Sequence, residues 1–131
     1  MPCSAKRISA LVNVAKQVDE LKAIRVDEAK ATTLEPGRSS KPLVDASVGA
    51  KNVQIIWMEV PAGWKSDQHV REVEEVLYIL SGKCAISTEK ERCEATAGTI
   101  ILVPPGEKHQ HENIGSQTFS QLVIFAPPLR R

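Results

Sequence analysis

The chain has 131 residues, 42% hydrophobic and 25% charged, which is the size and mix of one ordinary folded domain. Its 17 basic and 16 acidic residues leave a formal net charge of +1, too little to grip nucleic acid or an anionic membrane, so neither is expected as a partner. No run approaches the roughly 20 apolar residues that span a bilayer, and the N-terminus lacks the apolar stretch and cleavage site of a secretory signal; a cytoplasmic protein is expected.

Residues 5–24 carry Ile8, Leu11, Val12, Ala15, Val18 and Leu21 at spacings that fit a helical stripe, with "VNV" as a competing short strand. "TTLEPGRSSKPLVDASVGA" (32–50) is rich in Pro, Gly and Ser and reads as irregular connection with one short strand. Residues 1–50 are therefore expected to form a partly helical, irregular extension, a candidate dimer arm, ahead of a domain at 51–131.

From residue 51 short β-type runs follow one another: "NVQIIWMEV" (52–60), "EEVLYILSG" (74–82), "KCAIST" (83–88), "GTIILVPPG" (98–106), "KHQHEN" (108–113) and "TFSQLVIFA" (118–126). Turn residues separate them and no helical pattern intervenes, which indicates an all-β antiparallel sandwich or barrel. Alternation turns Glu74 outward; Trp57 and Tyr78 are expected in the core, a pocket-mouth position for Trp64 is the lesser reading, and Gln54 and Gln121 are expected as inward polar contacts or exposed edges. The three cysteines show no metal-type spacing, and reduced thiols are expected. Phosphate-binding glycine loops and a nucleophile elbow are missing, so nucleotide and acyl-enzyme chemistry find no support.

All three histidines fall in two windows. His69 follows Gly63 and precedes Glu75 and Gly82; His109 follows Gly98, Pro104 and Gly106 and precedes Asn113, with His111 between. These windows resemble the two motifs of the cupins, G-x5-H-x-H-x3,4-E-x6-G and G-x5-P-x-G-x2-H-x3-N, and the resemblance covers roughly residues 51–127. It implies a double-stranded β-helix, or jelly-roll barrel. It also implies a divalent metal (Fe, Mn, Ni, Zn or Cu) held by His69, Glu75 and His109 at the barrel mouth. Family members commonly dimerise through exchanged N-terminal strands, so a homodimer is expected.

Arg71 stands where the family's second histidine belongs. A guanidinium has no lone pair to give a metal, and three readings follow. In one, His69, Glu75 and His109 form a facial triad, Arg71 grips an anionic substrate and His111, on the same face as His109, either supplies the missing fourth nitrogen or moves a proton. In another, Arg71 pairs with Glu74 or Glu75 and takes the metal's space. In the third it turns out to Asp67 or Glu72 at the rim. The first leads to a small metal-dependent enzyme acting on an anionic organic molecule, with a dioxygenase marginally preferred over an isomerase or lyase. The rival is a non-catalytic or sensory cupin that binds a small ligand and has lost its metal through Arg71.

Overall fold

A computed structural model describes residues 6–7 and 20–129. The apolar stripe read over 5–24 lies for the most part outside the described residues. The strands are β1 (Lys6–Arg7), β2 (Lys22–Ala23), β3 (Thr32–Leu34), β4 (Arg38–Val44), β5 (Gln54–Val60), β6 (Glu74–Ser81), β7 (Lys83–Thr88), β8 (Arg92–Thr96), β9 (Ile100–Val103), β10 (His109–Asn113) and β11 (Phe119–Ala126). Two 3-10 turns, Val26–Glu28 and Ala46–Val48, complete the described elements. Among the described residues no helix is long and apolar enough to cross a membrane.

A six-stranded sheet in the order β3-β4-β5-β11-β6-β9 faces a three-stranded sheet in the order β10-β7-β8, and β1 pairs with β2 separately. Both large sheets are antiparallel throughout. The result is the all-β jelly-roll barrel expected from residue 51 onward. Within the stretch 32–50, the β3–β4 hairpin pairs onto β5, with Ser40 opposite Met58 and Lys41 opposite Trp57.

Two-residue alternation on β6 and β11 builds the interior. Leu77, Ile79, Phe119, Val123 and Phe125 turn inward, where they join Val60 on β5, Cys84 and Ile86 on β7, Ala95 on β8 and Val103 on β9 in one cluster. Gly82 makes the tight passage from β6 to β7: its φ is +85°, and a Cβ there would lie 2.5 Å from the Phe119 Cβ. Only glycine fits both the backbone angle and the space.

Outside, the pattern differs from expectation. Tyr78 faces solvent and Trp57 is half-buried beneath the Lys41 ammonium, 4.9 Å from its ring centroid. Neither belongs to the core, because each sits on the outer phase of its strand, opposite Leu122 in the β11 register. Beside Tyr78, the end strand β9 leaves Ile100 and Leu102 exposed. The described cysteines, Cys84 and Cys93, are both free thiols, and burial pushes that of Cys84 up to about 11.

Candidate functional site

Three segments bring the chemistry together. The run after Gly63 lies along β10: the Ser66 amide donates to the His111 carbonyl (2.9 Å), and His69 and His109 exchange both amide-to-carbonyl bonds at 2.9 Å. This antiparallel bridge sets the two imidazoles side by side, ring centroids 4.3 Å apart. His111, two residues along β10, turns the same way, and its ring lies 5.4 Å from that of His69. Glu75 enters from the opposite sheet as the first inward residue of β6, flanked by Phe125 on β11 and Val103 on β9. One donor atom from each of His69, Glu75, His109 and His111 lies within 4.8 Å of the others.

A cavity of about 640 Å³ opens beside this cluster, within the range that holds a small organic ligand. Its walls include Ile56, Met58, Val123 and Phe125 on the large sheet, with Trp64 and the β3–β4 residues Pro36 and Arg38. Arg71 lines it too, its guanidinium carbon 5.8 Å from the Phe125 ring centroid. The rim reading of Arg71 therefore gives way to an inward one. Trp64 stands in the wall, the lesser of its two readings from the sequence. Gln121 points into the cavity, whereas the Gln54 side chain is occupied, accepting from the Leu129 amide at 3.0 Å. Asn113 is structural: its amide bonds the Val60 and Gln117 carbonyls and accepts from the Gly115 amide.

The hydrogen bonds within the cluster decide what it can hold. His109 donates through Nδ1 to the Glu107 carbonyl (2.9 Å) and through Nε2 to the Glu75 carboxylate (3.1 Å). Both ring nitrogens thus face acceptors, an arrangement satisfied fully by the imidazolium. Burial opposes charge on His109, but the Glu75 bond and the Glu107 carbonyl outweigh it, so its pKa is raised. Burial also works against the Glu75 carboxylate, yet the His109 bond and the nearby His111 and Arg71 hold its pKa below the ordinary value. The two form a buried ion pair. The other carboxylate oxygen faces His111 Nε2 at 3.7 Å. Burial foremost pushes His111 down to about 4, so its ring stays neutral near pH 7. His69 is lowered as well, by burial first and then by His109 and Arg71, and its Nδ1 donates to the Asp67 carbonyl. The acidic residue between His111 and Asn113, Glu112, is engaged outside by Arg92 at 3.4 Å.

The site brings together all five residues singled out from the sequence but corrects the cofactor expected for them. A divalent ion needs the lone pairs of His109 and the oxygens of Glu75. Here the His109 nitrogen spends its proton on one carboxylate oxygen, and His111 faces the other. A permanently charged guanidinium shares the same space. The donor set is internally neutralised and does not fit a divalent metal, and the metal-dependent enzyme expected from the motif is overturned with it. Arg71 was the signal available in the sequence; that the carboxylate would be satisfied by its own histidines was not.

The fold and site together define a small double-stranded β-helix barrel with a polar-floored internal cavity. The chain belongs to the cupin domain family, whose profile matches residues 56–125. An uncharacterized protein of Streptomyces coelicolor is 27% identical over 108 residues, 82% of this chain and 98% of that one. Among solved structures, the polyketide cyclase RemF from Streptomyces resistomycificus superposes with a TM-score of 0.73 at 24% identity, covering 85% of this chain and 84% of RemF. A predicted oxalate decarboxylase from Thermotoga maritima gives a TM-score of 0.72 at 19% identity, covering 81% and 99%. At these identities the two structures show the shared fold.

Proposed function

We propose that this protein is a non-catalytic cupin that binds a small organic anion inside its barrel. The observation that carries this reading is the pairing of Glu75 with His109, which neutralises the cluster internally and leaves Arg71, with Arg38 and Lys65, as cations lining a cavity that also has an apolar wall. Arg71 takes the anionic group. His69, Glu75 and His111, with His109 buried behind Glu75, form the polar floor that keeps Arg71 company without a metal, and the apolar wall of Ile56, Met58, Val123 and Phe125 takes the body of the ligand. A charged group held beside apolar walls binds an oxyanion more strongly than it would in water.

The reading extends to a cytoplasmic protein and to a homodimer in which a second copy covers the exposed apolar residues Tyr78, Ile100 and Leu102. A monomeric mass in light scattering overturns the dimer.

Elemental analysis of the purified protein and of His109→Ala tests the main claim. Substoichiometric metal in both is expected. Stoichiometric metal in the wild type that disappears in the variant overturns it.

A further inference from the structure

Three buried polar side-chain atoms have no hydrogen-bond partner among the described residues: Arg71 Nε, His111 Nε2 and Gln121 Oε1. All three residues line the one cavity. Buried groups of this kind are nearly always paired in folded proteins, because each unmet one costs about 1–3 kcal/mol. One orphan is a local imperfection. Three facing a common space, from three different segments, describe the complement of a missing molecule.

We infer that the ligand is a hydroxylated carboxylic acid with a flat apolar body, the carboxylate meeting Arg71 and the hydroxyl meeting Gln121 and His111. The inference rests on the reading of the site as an organic-anion pocket and adds a second polar group to the ligand. Its chemistry follows from the orphans. Arg71 Nε is a donor that belongs to the edge of the guanidinium suited to a bidentate carboxylate. Gln121 Oε1 only accepts, so it calls for a ligand O–H or N–H. An ammonium would bring a positive charge into the space Arg71 already occupies, and a neutral hydroxyl does not. A hydroxyl donates its one proton to Gln121 Oε1 and accepts from His111 Nε2–H, so it serves both when the imidazole carries its proton on Nε2. Phe125 and Trp64 among the lining residues favour a flat ring as the body.

The cavity was thus specified on opposite sheets. Gln121 comes from the inner face of β11, level with Ile79 and Met58, while His111 comes from β10. The glutamine interrupts an inward column that is otherwise Phe119, Val123 and Phe125. A leucine there would finish the core at no polar cost, which is the reason its amide is assigned to a ligand.

Isothermal titration of the full chain with benzoate, the three hydroxybenzoate isomers and the three cresols tests this directly. The isomers sample the separations between carboxylate and hydroxyl. One hydroxybenzoate is expected to bind about tenfold tighter than benzoate and than its matching cresol, the worth of one buried hydrogen bond. Gln121→Leu should remove the advantage of that hydroxybenzoate over benzoate. Arg71→Met should remove the advantage over the cresol. Equal binding of benzoate and every hydroxybenzoate, still dependent on Arg71, overturns the hydroxyl assignment while the anion pocket stands. Binding of cresols as tight as that of the acids, or of no probe at millimolar concentration, overturns both. The wild-type comparison of probes decides the matter even where a variant fails to fold.

Discussion

The filled and hollow parts of the barrel interior are made from the same inward columns of the same strands. On β6 the inward column runs Glu75, Leu77, Ile79; on β11 it runs Phe119, Gln121, Val123, Phe125. Leu77, Ile79 and Phe119 meet Cys84, Ile86 and Ala95 from the opposite sheet and close into a core with almost no accessible surface. Glu75 and Gln121, at opposite ends of these columns, face instead the hollow part of the barrel, near the imidazoles that β10 supplies. Strand alternation selects which side chains face inward. What they meet is decided by the opposite sheet, and that difference separates packing from binding. The filled part is satisfied by itself. The hollow part satisfies its carboxylate and leaves three polar atoms waiting.

The contrast breaks most visibly in the filled part. Phe119→Ala should cost about 4 kcal/mol of unfolding free energy, the transfer and cavity terms of a fully buried aromatic, measured by urea denaturation. In the hollow part, Glu75→Gln removes the charge that His109 faces and should cost about 3 kcal/mol, the loss expected on breaking a buried pair. The same variant should lower the His109 pKa in an NMR titration, because the carboxylate is what raises it; an unmoved His109 would show that the pair carries no charge.

Acid sharpens the comparison. His111 in the folded chain stays neutral down to about 4 against an ordinary value of 6.5. Below that ordinary value the unfolded chain takes up a proton the folded chain refuses, so stability falls as pH falls. The loss should reach about 2 kcal/mol by pH 5 relative to His111→Gln. The raised His109 acts in the opposite sense: its contribution is complete below its ordinary value and is lost as pH rises through the folded one. Glu75, whose pKa is lowered, begins to lose its contribution only below its ordinary value of 4.5, so the interval from pH 6.5 to 5 isolates the lowered histidines. Parallel pH profiles for the two proteins would refute the burial of the His111 ring.

The smallest effect has the opposite sign. Gln121→Leu should raise stability by about 1 kcal/mol, because it removes an unmet buried acceptor and completes an apolar column. A destabilised variant would mean that the amide already has a partner in the free protein.

Much of this architecture is legible along the chain. Turn residues separating short β runs specify an antiparallel barrel, and the spacing of Gly63, His69, Glu75 and Gly82 and of Gly98, His109 and Asn113 marks the segments that meet. Elsewhere local pattern misleads. Tyr78 and Trp57 look like core residues because large aromatics usually are, but the phase of each strand against β11 turns them outward. The stretch containing Thr32–Leu34 and Arg38–Val44 is rich in turn formers, yet it is drawn into strands by the ladder that β5 offers. Propensity weighs little against an open sheet edge.

What belongs to the sequence by itself is the set of actors: a short barrel, two histidine segments, and an arginine where a metal ligand would stand. Only the folded chain decides how they are paired. Charge state and hydrogen bonding depend on distances between residues far apart in sequence, and no local pattern contains the approach of His109 to Glu75 across the barrel. That approach turns a metal motif into a neutralised floor beneath a cation.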